Sequence, residues 1–200
     1  MILTKDGVQM TLYYANVDVF DKRKKEILLA KNLLDAKNES RILEIWGDGG
    51  LGKSKLLSTV GQTWKKAGVR VIEVLDFFDV SNQQQLTLLD NISSQFDETS
   101  FSEFNKAVDD YNRADHQAKR TYFTLSVNAF LECINNLHAK TPIGLLFDTY
   151  EVIEGTDLSK WLLEELIPKL HSSLPIAIAG RNKIFPIKSK IAIPIKVDKF

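Results

Sequence analysis

Eight consecutive residues, Gly47-Asp48-Gly49-Gly50-Leu51-Gly52-Lys53-Ser54, follow the spacing G-x-x-x-x-G-K-[ST], which suits one kind of chemistry, the cradling of phosphate groups. Backbone N–H groups converge on an anion only where no Cβ blocks the approach, and Gly47, Gly49, Gly50 and Gly52 remove those side chains. Lys53 then reaches the outer phosphates of a nucleoside triphosphate, and the Ser54 hydroxyl ligates Mg²⁺. On this reading Gly47, Asp48, Gly49, Gly50, Leu51, Gly52, Lys53, Ser54 and Lys55 form the nucleotide contact. The plainer reading is a glycine turn that joins a strand to a helix. At average glycine usage the bare pattern arises by chance in roughly one chain in a hundred of this length, and a strand before it and a helix after it make chance rarer still.

A second group with a chemical use closes the run Ile143-Gly144-Leu145-Leu146-Phe147-Asp148. An apolar strand that ends in aspartate downstream of a phosphate loop is the Walker B pattern. It sets a carboxylate at the C-terminal edge of the sheet, where it can hold Mg²⁺ through a water or the Ser54 hydroxyl. Buried strands also end in Asp as a cap or turn residue, so the role depends on the pairing with the loop. Arg181 follows the apolar stretch that ends at Gly180 and projects from the same edge, within reach of a γ-phosphate. Asp76 and Asp79 leave the second strand at that edge, where loop capping accounts for them. His116, His138 and His171 have no paired spacing, and with the single Cys133 they offer no zinc set. Trp46, Trp64 and Trp161 read as core, and Lys22, Lys24 and Lys25 as a solvated helix face.

These groups need elements to position them. Arg41 to Trp46 is rich in strand formers, and Leu56, Leu57, Val60 and Trp64 recur at helical spacing after the loop. Val69 to Leu75 reads as a second strand ending at Asp76. A helical insert follows, with Leu86, Leu89, Ile92 and Phe96 on one face and Phe101, Phe104, Val108 and Tyr111 on another. Residues 112–121 are polar and form an exposed turn or a helix extension. Phe123, Val127, Phe130, Ile134 and Leu137 mark a third amphipathic helix that Pro142 closes. Leu162, Leu163, Leu166 and Leu170 mark a helix starting near Asp157 or Ser159, and Ile191 to Lys196 a last strand whose Pro194 calls for an edge or irregular position. Alternating strands and helices predict a parallel sheet covered by helices.

Composition narrows the class. Two hundred residues suffice for one domain with a sizeable core, and Lys+Arg and Asp+Glu are both 26, so no basic surplus signals nucleic acid. One cysteine excludes an internal disulfide, and no apolar run approaches the ~20 residues of a membrane helix. With no signal-peptide pattern, a cytoplasmic protein without a membrane partner is expected.

The runs GDGGLGKS, LLFDTYE and AIAGR together resemble the STAND ATPases, signal-transduction relatives of AAA+ and NACHT proteins within the P-loop class. The resemblance covers residues 20–197. It implies an α/β, three-layer P-loop NTPase fold, a mostly parallel five-stranded sheet flanked by helices with the P-loop strand central. It implies ATP/ADP with Mg²⁺ as cofactors, in keeping with Asn182-Lys183 lacking the continuation of a guanine reader. Such proteins carry a Gly-Arg element that contacts the adenine side. Here Phe20-Asp21-Lys22-Arg23-Lys24-Lys25-Glu26 keeps the aromatic, the arginine and the glutamate, with Lys22 in place of the glycine, and Arg23 is carried over as a nucleotide contact.

Many hydrolytic relatives place glutamate directly after the Walker B aspartate, where this chain has Thr149. The NACHT-like variant has a small residue there and an acid three places after the aspartate, which makes Glu151 the water-orienting base beside Lys53 and Arg181 as catalytic groups. STAND proteins continue into a lid, a winged helix and sensor or effector domains. A chain ending at Phe200 is then expected to be a fragment or an unusually short protein, with residues 1–19 as an N-terminal extension and 20–200 as the core. The expected function is a nucleotide-dependent molecular switch with slow ATP hydrolysis, open to self-association or effector domains. The alternatives are an AAA+-type enzyme working as an oligomeric ring and a nucleotide-independent interaction module.

Overall fold

The computed structural model describes residues 23–35, 39–186 and 189–198. The expected extension at residues 1–19, with Phe20, Asp21 and Lys22 of the arginine element, lies outside them. In chain order the elements are α1 (Lys24–Asn32), β1 (Ile42–Trp46), α2 (Lys53–Lys66), β2 (Arg70–Val71), β3 (Leu75–Asp76), α3 (Gln85–Ser93), α4 (Ser102–Arg113), α5 (Lys119–Lys140), β4 (Ile143–Asp148), α6 (Asp157–Trp161), α7 (Ile167–Lys169), β5 (Ile176–Gly180) and β6 (Ala192–Lys196). A π-helical turn, Leu162–Leu166, joins α6 to α7, just ahead of Pro168, which has no N–H to give to the preceding turn.

Strand burial explains the layering. β4 and β5 are buried at every residue, as expected of strands covered on both faces. Successive side chains along a strand serve opposite faces. Ile42, Leu145, Phe147, Ile176 and Ile178 join the core beneath α3 to α6, whereas Leu43, Ile45, Leu146, Ala177 and Ala179 join the core beneath α1 and α2. Trp64 of α2 is fully buried in that second core, and its indole N–H donates to the Ala30 carbonyl of α1 at 2.8 Å. Gly144 makes room for it: a Cβ there would lie 3.0 Å from the Trp64 ring.

Every strand pair is parallel, in the order β2-β4-β5-β1-β6, with β3 also on β4. The P-loop strand β1 therefore lies next to the edge, and β5, not β1, is central; this corrects the expected placement. β1 still has a neighbour on each side, so its end is held from both. The second strand is also broken where the sequence reads as one. Val71 opposes Gly144 and Leu75 opposes Phe147, leaving three residues against two, a bulge that an edge strand accommodates. β6, with Pro194, takes the other edge, where a missing N–H costs no ladder bond.

In the insert, Phe96 falls beyond the end of α3, and Phe101 precedes α4 in a 3-10 turn. Both still pack, with ring centroids 5.4 Å apart, because a short connection can bury an aromatic as well as a helix face can. The polar stretch after residue 112 divides between the end of α4, a turn and the start of α5. The cap of α6 is Thr156, whose Oγ1 accepts the Ser159 N–H, with Asp157 in the first turn. Among the described residues no helix is long and apolar enough to cross a membrane.

Candidate functional site

A parallel sheet delivers the C-terminal ends of all its strands to one edge, where ligands of such folds bind. That edge collects Gly47 after β1, Asp76 closing β3, Asp148 closing β4 and Arg181 after β5. Gly47 holds φ 147°, and a Cβ on it would meet the Val197 carbonyl oxygen at 2.5 Å. Its N–H donates to the Arg181 carbonyl at 3.2 Å, fixing the loop to the segment after β5. Gly50 and Gly52 are left-handed, φ 78° and 84°, where glycine is at ease. Gly52 is also the N-cap of α2, with no side-chain cap, so the first-turn N–H groups keep their capacity for an anion. The Lys53 ammonium folds back over the loop, donating to the carbonyls of Gly47 at 2.8 Å and Asp48 at 2.9 Å. Ser54 is exposed in the first turn of α2.

Asp148 is buried, with Oδ1 accepting the Thr149 N–H at 2.8 Å. Thr149 is the one described non-glycine residue with positive φ, 57°, a conformation that costs a β-branched side chain energy. Its hydroxyl donates to Asp76 Oδ1, and Asp76 stands in register with Asp148 across β3 and β4. Asp76 is thus tied to the site, which its chain position at a strand end only hinted at, whereas Asp79 caps a 3-10 turn through the Ser81 N–H. Glu151 does not stand open toward the loop. Its Oε1 accepts from Arg181 Nε at 3.1 Å and its Oε2 from the Arg181 N–H at 3.2 Å. Arg181 reaches the other way as well, its Nη2 lying 4.0 Å from the position a Cβ on Gly49 would take.

Arg23 is buried at the start of α1, donating to Glu26 Oε1 at 2.9 Å and to the Asp198 carbonyl at 3.2 Å. It ties α1 to the chain beyond β6, beside the end of the P-loop strand. Lys55 lies on the exposed face of α2.

Two further features were not legible in the sequence. Glu44 of β1 is wholly buried; its Oε1 accepts the N–H groups of Ile184 and Phe185, and its Oε2 has no partner. Burial pushes its carboxyl above the usual carboxylate range, against the opposing pull of those two amides and of Lys183. At the opposite edge His138 and His171 meet at 5.0 Å, with Ser173 Oγ hydrogen-bonded to both. A charged residue in the middle of an apolar strand was the available signal for the first; the second needed the fold.

The donor set at the strand ends fits a small hard cation, since it offers a hydroxyl and a carboxylate, both oxygen. No group of three or more His, Cys, Asp or Glu gathers in a metal-binding arrangement among the described residues. A magnesium ion held by Ser54 and Asp148 would therefore complete its shell with phosphate oxygens and water.

No family model matches the chain, and neither does any curated protein. Solved structures do. The Aeropyrum pernix ORC2 protein, in ADPNP-ADP complexes, aligns at a TM-score of 0.50 and 14% identity over 88% of this chain and 47% of that one. AMPPCP-bound DnaA from Aquifex aeolicus aligns at 0.44 and 16% over 85% and 44%, and a DNA replication initiation factor at 0.40 and 15% over 98% and 48%. The chain spans just under half the length of each. Such identities speak to fold alone, and with the ORC2 likeness and the strand order the fold is a three-layer α/β P-loop NTPase fold, a mostly parallel sheet flanked by helices.

Proposed function

We propose that this chain is the nucleotide-binding core of a STAND-like regulatory ATPase, taking ATP or ADP with Mg²⁺ and hydrolysing ATP slowly. The observation that carries the reading is the loop itself: three glycines with positive φ, an uncapped helix start and a lysine folded over the loop carbonyls, all at the sheet edge that holds Asp148 and Arg181. That the ORC2 structure with this fold contains ADPNP and ADP supports an adenine nucleotide.

Phosphates entering the loop would replace the Gly47 and Asp48 carbonyls as partners of Lys53 and accept from the first-turn N–H groups of α2. Mg²⁺ on Ser54 and Asp148 would neutralise phosphate charge. Arg181 would face the γ-phosphate, and Glu151 would orient the attacking water. Arg23 would act by fixing α1 beside the nucleotide's base. ATP and ADP then differ by the contacts of one phosphate, which is the differential needed to bias a switch. A second reading, an AAA+-type enzyme working as a ring, draws on the same likeness to the ORC2 fold.

Calorimetric titration with Mg-ATP and Mg-ADP tests the site: the parent protein binds both, and Lys53→Ala weakens ATP by at least about tenfold, the scale of one lost charge-assisted contact. A parent that binds neither leaves the interaction-module reading standing. Turnover per chain that rises with protein concentration favours the ring; concentration-independent slow turnover favours the switch.

A further inference from the structure

Arg181 and Glu151 occupy each other in a way that bears on regulation. The backbone of Arg181 is fixed at both ends of its peptide: its carbonyl accepts the Gly47 N–H and its own N–H donates to Glu151 Oε2. Its side chain is the more exposed partner of the ion pair, 65% exposed against 20% for Glu151. Glu151 sits in a 3-10 turn, Tyr150–Val152, anchored by the buried Tyr150. Gly180 lets that turn approach, since a Cβ there would lie 3.2 Å from Tyr150 Cβ and 3.6 Å from Glu151 Oε2. A second bond between the same two segments, Asn182 Nδ2 to Glu154 Oε2 at 2.7 Å, holds them together independently of the ion pair. The guanidinium therefore stands between two places an anion can be: the Glu151 carboxylate, which it binds through Nε, and the phosphate loop at Gly49, toward which Nη2 points.

We infer that the Glu151–Arg181 ion pair is a latch that competes with the terminal phosphate of a nucleoside triphosphate for one guanidinium, so that the triphosphate, and not the diphosphate, frees the Oε1 oxygen of Glu151. This rests on the nucleotide-binding reading above. A phosphate carrying more charge than a carboxylate draws the arginine off, and an ion pair exposed on one side gives it up at small cost. Until then the guanidinium covers Oε1 of Glu151; drawing it off opens that oxygen to water while Oε2 stays on the Arg181 N–H. Arg181 so couples recognition of the third phosphate to release of the base.

The test compares affinities of the full chain for a non-hydrolysable ATP analogue and for ADP, each with Mg²⁺, by calorimetry. Glu151→Ala removes the competitor and should tighten the analogue by about twofold to fivefold, the scale of one partly exposed ion pair, with ADP unmoved. Glu151→Gln, which keeps an acceptor for the Arg181 N–H and the volume of the side chain, should shift the ratio the same way and decides the matter if the alanine variant does not fold. Arg181→Ala should bring the analogue close to ADP, and adding Glu151→Ala to it should change nothing further. An analogue-to-ADP ratio unchanged or lowered in the Glu151 variants, or a Glu151 effect that survives the loss of Arg181, overturns the latch alone. A parent protein that binds neither nucleotide overturns the site and the latch together.

Discussion

Glu44 is a carboxylate on a strand whose other residues facing the same way are apolar, and it earns its place by holding the segment after Arg181. It accepts the amide hydrogens of Ile184 and Phe185 with one oxygen and nothing with the other. Its raised pKa fixes the sign of a pH effect. The folded protein holds that proton above pH 4.5, where an unfolded chain releases it, so stability falls as pH rises from 4.5 through the folded value. Glu44→Gln imitates the protonated form. The melting temperature of the variant minus that of the parent should accordingly be more favourable at pH 8 than at pH 5; a difference that does not change with pH would refute the assignment. Gly47 makes the second case at this scale. At φ 147°, with a carbonyl 2.5 Å from any Cβ, Gly47→Ala should lower stability by on the order of 1–3 kcal/mol, measured by denaturant unfolding. Neither effect is visible in residue type alone. The glycine pattern was legible because its spacing lies within eight consecutive residues, but the obstruction comes from Val197, 150 positions along the chain.

Elements are joined by side chains that reach across to backbone. Arg41, just ahead of β1, donates to the carbonyls of Leu170 at 2.8 Å, His171 at 3.1 Å and Ile167 at 2.6 Å. It thereby sets a cation over the carbonyls at the end of α7, two of which also accept backbone N–H groups, Ile167 from Leu170 and His171 from Leu174. Arg41→Ala should cost about 2 kcal/mol, since several charge-assisted bonds go at once, and amide exchange should accelerate first around residues 167–174. Uniform acceleration across the chain would count against a local cap. Helices were the most legible elements, since the period of Leu56, Leu57, Val60 and Trp64 is unmistakable and all four are buried. Strand two was least so. Its residues suit one continuous strand, and only the pairing with β4 exposes the bulge, because register belongs to the partner as much as to the strand.

For the whole molecule, the edge opposite the loop carries its own response to acid. His138 is buried, its Nδ1 accepts the Ile143 N–H at the start of β4, and burial first and His171 second hold its pKa below an ordinary histidine's. A histidine with a depressed folded pKa supplies stability in full above about pH 6.5 and loses it as pH falls below that value, because the unfolded chain takes up the proton first. The melting temperature of His138→Gln minus that of the parent should accordingly be more favourable at pH 5.5 than at pH 7.5, and a difference that does not change with pH places the acid response elsewhere. The amino-acid sequence by itself determined the class of fold and the place of the glycine-rich loop between strand and helix, because a 3.6-residue period, a glycine spacing and apolar runs are properties of neighbours in the chain. Only the tertiary structure decided that β5 rather than β1 is central, that Asp76 stands beside Asp148, that two histidines meet, and that Glu151 is held by Arg181. Those facts depend on strand order and register, set by packing among residues far apart in sequence.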